Sequence, residues 1–131
     1  MGYLLDTHTI LWTLDKSENL SVSAENIISN SDTFCCVSII SFFEMAIKQK
    51  IGKLQLTKSI SEYINEVKRI GISVLPIKYE HLDHYEQLPL IKDHRDPFDR
   101  IILATAMFEK FTIISEDRKF EDYNHLVATI W

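Results

Sequence analysis

The chain has 131 residues, 46% of them apolar and 25% charged, enough to bury the core of one ordinary globular domain and too few for two. Its formal charge of −5 counts against a simple basic surface for nucleic acid, but 19 acids leave room for a dedicated carboxylate site. The longest mostly apolar stretch, Phe34 to Phe43, is too short to span a bilayer and no basic, apolar leader precedes Asp6, so a cytosolic protein is expected.

Tyr3 to Leu5 is a short apolar run ending in Asp6. Ile10, Leu11 and Leu14 then recur at helical spacing within Thr7–Leu14, so a strand is followed by a helix. Beyond the polar stretch Lys16 to Asn19, a short helix is predicted near Ser23–Ser29, then a compact, β-prone strand over Thr33–Val37. Cys35 and Cys36 are adjacent within that strand and read as buried free thiols, because their spacing suits neither a zinc knuckle nor a disulfide framework. The next helix runs from about Ile40 to Lys50 and stops at Gly52. Ile60, Tyr63, Ile64, Val67 and Ile70 form an amphipathic stripe closed by Gly71. Ser73 to Ile77 reads as a third strand, placed at a sheet edge by Pro76, which has no N–H to donate. Tyr79, Leu82 and Tyr85 suggest a short helix. Asp96 and Pro97 open a longer one that reaches about Lys110, followed by a strand over Thr112–Ser115 and a last strand within Leu126–Trp131. Strands alternating with helices long enough to cross over predict an α/β fold, a three-layer α/β/α sandwich around a mainly parallel sheet.

In such a sheet the carboxyl ends of the strands and the starts of the following helices share one edge, where ligands bind. Asp6 follows the first strand, Asp117 lies just past the strand ending at Ser115, and Glu44 and Asp99 stand in the early turns of two helices. Topology therefore brings four sequence-distant carboxylates to one edge. Each also has a plain structural reading. Asp6 can cap its helix, Ser41 with Glu44 fits a capping box, Asp96, Pro97 and Asp99 read as a helix start, and Asp117 suits a turn. Taken together the four are harder to explain that way, because Glu44 and Asp99 sit on apolar helical stripes where carboxylates resist ionisation unless a cation joins them. A hard divalent metal with oxygen ligands is the natural partner. Mg²⁺ or Mn²⁺ so held suits phosphodiester hydrolysis, activating water and neutralising charge on the phosphoryl oxygens.

Three segments occur together: LLDTHTILW at Leu4 to Trp12, FFEMAIKQKIGKL at Phe42 to Leu54, and HRDPFDRIILATA at His94 to Ala106. With them, nearly the whole chain resembles a PIN-domain ribonuclease, and more narrowly a VapC-type toxin of a VapBC toxin–antitoxin pair. The resemblance implies one PIN domain over residues 1–131, endoribonuclease activity with Mg²⁺ or Mn²⁺, a homodimer, and a cognate VapB-type antitoxin as inhibitor. It places Asp6, Glu44, Asp99 and Asp117 in the catalytic set. Asp6 and Asp99 are the main metal ligands, Asp117 supports them, and Glu44 completes the shell or orients the attacking water. Thr7 and Ser115 become hydroxyls that hold carboxylates or waters in place. Two departures stand out: Phe43 replaces a Trp found in many relatives, and Glu116 adds an acid beside Asp117.

Lys48, Arg95 and Arg100 lie close in sequence to the site acids and are candidates for RNA phosphate contacts, against the ordinary reading of charged residues on solvated helix faces. His81 and His84 lack a third ligand at zinc spacing and are expected on a surface or partly packed helix. Trp12, Phe42, Phe43 and Trp131 are expected in the core or at an interface. A haloacid-dehalogenase-like phosphohydrolase would need a second Asp two residues after Asp6, where this chain has His8. A PIN-like binding module without catalysis is the remaining alternative, and the presence of all four acids favours activity.

Overall fold

The computed structural model describes residues 2–91 and 94–131. In chain order these form β1 (Gly2–Leu5), α1 (Thr7–Leu14), α2 (Val22–Ser29), β2 (Phe34–Ser38), α3 (Ile39–Lys50), α4 (Ile60–Arg69), β3 (Ser73–Leu75), α5 (Tyr79–Gln87), α6 (Pro97–Glu109), β4 (Thr112–Ile114), a 3₁₀ segment (Arg118–Tyr123) and β5 (Thr129–Ile130). Among the described residues the five strands make one sheet in the order β3-β2-β1-β4-β5, and every pairing is parallel. The expected α/β architecture with helices on both faces of a parallel sheet is therefore present.

Alternation along the strands divides the core in two. Leu5, Cys35, Val37 and Ile114 face one way and pack with α1, Ala24 of α2, Phe42 and Met45 of α3, and Tyr63 and Val67 of α4. Leu4, Cys36 and Ile113 face the other way, against Ile101 to Ala104 and Ala106 of α6 and against Phe120 and Tyr123 of the 3₁₀ segment. Leu4, Leu5, Ile10, Leu103, Ile113 and Ile114 are completely buried, and each such side chain contributes about 1.5–3 kcal/mol of transfer free energy. Both thiols are buried as expected, and burial pushes Cys36 up to about 12, so neither is a poised nucleophile.

Local chemistry sets the helix starts. Asp6, Ser21, Ser38 and Ser59 each accept a backbone N–H in the first turn of the helix that follows, and Ser59 forms a reciprocal box with Glu62. Asp96 caps α6, with Pro97 at its first position. The cap of α3 is a correction. Ser38, not Ser41, starts that helix, so Ser41 is an interior residue and Glu44 is not part of a capping box. At the other end, Gly52 (φ +78°) supplies the left-handed residue that stops α3.

The third strand is shorter than predicted because Pro76 ends it, although it does lie at a sheet edge. Within the predicted last strand, two residues pair with β4. His81 is also corrected. It is fully buried, accepting the Lys78 N–H at Nδ1 (3.1 Å) and so carrying its proton on Nε2, which donates to Glu109 Oε2 at 2.9 Å. It fastens α5 to α6 and has no metal-binding role.

Candidate metal centre

The strand order creates a switch point. From β1 the chain moves outward to β2 and β3, then returns through α6 to β4 on the other side of β1. A crevice opens where the directions diverge, outside the carboxyl ends of β1 and β4. Leu5 is paired with Ile114, so the next residues, Asp6 and Ser115, are neighbours although 109 positions separate them.

Ser115 ties this corner together. Its hydroxyl donates to Asp6 Oδ2 and accepts the backbone N–H of Asp117 at 3.0 Å. Asp6 Oδ1 accepts the Thr9 N–H at 2.8 Å, so the helix-capping reading and the site reading describe the same carboxylate. Asp6 is 7% exposed, and burial raises its pKa against the opposing bonds from Ser115 and Thr9. Asp117 is half-buried and caps the 3₁₀ segment through the Lys119 N–H. Asp6, Asp117, His8, Trp12, Glu116 and Arg118 line an open cleft of about 490 Å³.

The helix starts bring the other two acids. Glu44 is buried, accepting the Thr7 hydroxyl at Oε1 and the Lys48 ammonium at Oε2, both at 2.6 Å. Burial works to lower the Lys48 pKa, but the Glu44 bond and charge outweigh it and hold the lysine above its ordinary value, with Asp96 and Asp99 adding to the effect. Asp99 accepts from His94 Nε2 at 3.2 Å. Its pKa is raised to about 6, first by burial and then by the charges of Asp96 and Asp117, with His94 opposing. Asp99 therefore feels the charge of Asp117, and its own charge reaches Lys48, the partner of Glu44. Asp6 is joined to Asp117 through the Ser115 hydroxyl.

Among the described residues no three Asp, Glu, His or Cys side chains already stand as a closed metal-binding group. Each acid is held by its own partner instead, Asp6 by Ser115 and Thr9, Glu44 by Thr7 and Lys48, and Asp99 by His94. The donor set nevertheless fits a hard divalent cation. It is all oxygen, it retains free carboxylate lone pairs, and it includes two aspartates whose ionisation is disfavoured until positive charge arrives.

Two of the expected RNA contacts change character. Arg100 is buried, so its reading as a phosphate contact is corrected. Its guanidinium donates to the carbonyls of Leu88 (3.0 Å), Pro89 (3.1 Å) and His94 (3.5 Å) and lies 5.2 Å from the centre of the Tyr85 ring. Lys48 is partly exposed but engaged by Glu44, whereas Arg95 stays at the surface. Sequence reasoning gave no role to His94, which lies within a quoted segment. Its ring is buried against Phe120 and Tyr123 while it holds Asp99. Phe42 belongs to the core and Phe43 is exposed, edge-on to Phe98.

Comparison with known proteins gives this geometry a context. The chain is 26% identical to "Ribonuclease VapC22" of Mycobacterium tuberculosis, over 98% of its own length and 97% of that protein's. Among solved structures, it is similar to a DNA-bound VapBC from Salmonella typhimurium (TM-score 0.70, 16% identity, 99% of this chain and 97% of that one). It is likewise similar to VapBC-1 from nontypeable Haemophilus influenzae (TM-score 0.68, 21% identity, 99% and 97%). The sequence profile of the PIN domain matches residues 3–126, a span that contains every acid of the switch-point site, and the chain belongs to the PIN-domain family.

Proposed function

We propose that this chain, read as one PIN domain over residues 1–131, is an endoribonuclease dependent on Mg²⁺ or Mn²⁺ and the toxin of a VapBC-type toxin–antitoxin pair. The observation that carries the reading is the meeting of Asp6, Ser115 and Asp117 at the β1/β4 switch point, with Glu44 in the second turn of α3 and Asp99 in the first turn of α6. Near full-length similarity to a protein named as a ribonuclease supports the activity, solved VapBC relatives support an antitoxin partner, and a homodimer is part of the same proposal. A cytosolic setting accords with an RNA substrate, and no described helix is long and apolar enough to cross a membrane.

Asp6, Asp99 and Asp117 would hold the cation. When bound, it supplies a lowered pKa for water and neutralises charge on the phosphoryl oxygens. The protein's own groups do the positioning. Ser115 and Thr9 fix both oxygens of Asp6, and His94 fixes Asp99. Thr7 and Lys48 orient Glu44, whose remaining lone pairs can accept a proton from an attacking water. Lys48 also carries positive charge at the edge of the acids, where a phosphate would lie, and Arg95 offers a second contact at the surface.

The test compares wild-type protein with Asp6→Asn on labelled RNA in Mg²⁺, Mn²⁺ or EDTA. Cleavage by wild type in either metal, its loss in EDTA and a fall of at least about 100-fold in the variant are expected. Equal cleavage under all conditions would sink the proposal.

A further inference from the structure

The acid cleft has an aromatic wall that the hydrolytic chemistry does not use. His8 and Trp12 are four residues apart on α1, so they share a face, and their ring centres are 5.8 Å apart. Trp12 continues to Trp131, just after β5, at 5.7 Å. The three rings form a row that starts two residues after Asp6. His8 and Trp12 line the same cleft as Asp6 and Asp117.

Packing accounts for part of this row. Trp131 joins the core on that face of the sheet. It does not account for His8, which is exposed and makes no hydrogen bond to another described residue. Arg118, which lines the same cleft, is also exposed and has no ion-pair partner among the described residues. Aromatic rings and an exposed guanidinium in one cleft are complementary to a base and its neighbouring phosphate, whereas a duplex covers its base faces and offers none for stacking.

We propose that His8, Trp12 and Trp131 form a stacking ridge for one unpaired nucleobase of the RNA strand, with Arg118 holding the adjacent phosphate. The inference rests on the ribonuclease reading and assigns a base-binding subsite beside its acids. The ridge works independently of base identity because every base presents a π face.

Trp12 and Trp131 are the two tryptophans of the chain, so intrinsic emission reports directly on the ridge. Wild-type protein is titrated with oligouridylate, an abasic oligomer of equal length and an RNA duplex, in Ca²⁺ to slow hydrolysis. Cleavage of the same single strand is followed in Mg²⁺ and Mn²⁺. Oligouridylate is expected to change tryptophan emission and to bind about fivefold or more tighter than the abasic strand or the duplex. His8→Ala should lose about fivefold in affinity for oligouridylate with little change for the abasic strand, and His8→Phe should restore it, because a ring and not a charge is required. Arg118→Ala should weaken both oligomers alike. Equal affinity for base-bearing and abasic strands with cleavage intact overturns the ridge and leaves the nuclease standing. Absence of both binding and cleavage overturns both. If His8→Ala instead loses a co-expressed protein partner while RNA affinity is unchanged, the ridge belongs to that partner and the proposal fails.

Discussion

Asp99→Asn is expected to stabilise the metal-free protein, although it removes a proposed ligand. The carboxyl of Asp99 is 19% exposed and stands near Asp96 and Asp117, and its pKa rises from an ordinary 3.8 to about 6. For an acid whose folded pKa is raised, the folded state holds the proton more tightly than the unfolded chain. Stability therefore falls as pH rises from about 4 to 6, and above that range the full penalty is present. At about 1.4 kcal/mol per pH unit the penalty is on the order of 3 kcal/mol. Asn carries no charge to penalise, so it should gain up to about 3 kcal/mol at pH 7.5. The asparagine oxygen can still accept from His94. Urea unfolding of both proteins in EDTA at pH 7.5 and pH 4.5 measures the difference, which should shrink at the lower pH. Millimolar Mg²⁺ at pH 7.5 should stabilise wild type selectively and narrow the gap. A variant less stable than wild type at pH 7.5 in EDTA, or a gap independent of pH, would refute the electrostatic account of the site.

Two further substitutions separate positioning from packing. Ser115→Ala removes the hydroxyl joining Asp6 to the Asp117 backbone and should weaken metal affinity about 10- to 100-fold by calorimetry, with global stability lowered by only about 1 kcal/mol. Unchanged metal affinity would show that Asp6 needs no such support. Arg100→Met leaves the carbonyls of Leu88, Pro89 and His94 without their donor and should cost about 3 kcal/mol in urea unfolding. Full stability with weakened RNA binding would return Arg100 to the surface role assigned from sequence.

What was legible in the sequence was local. Asp96-Pro97 announces the start of α6 because a cap and a proline act within one turn, and the apolar run before Asp6 marks a strand end for the same reason. The parallel alternation told which edge the acids would share. It did not tell that β4 sits beside β1, because strand order is decided by crossovers that leave no local mark, and that adjacency is what lets Ser115 reach Asp6. Arg100 was misread because its neighbours in sequence are charged, whereas its surroundings are the carbonyls at the end of α5 and in the segment that follows. Ser41 lost the cap of α3 to Ser38, three residues earlier, and Glu44 pairs with Thr7 and Lys48. The 3₁₀ segment escaped notice because Phe120 and Tyr123 are too few to show a period, yet its first residue, Arg118, lines the cleft.

The adjacency of β1 and β4 also sets when the acid site can assemble. Asp6 leaves the ribosome more than a hundred residues before Ser115 and Asp117, and β1 has no β4 to pair with until they follow. The nascent chain thus carries half a site while the residues between Asp6 and Ser115 are made. On the proposed function, only once the switch point closes does a nuclease exist for an antitoxin to bind.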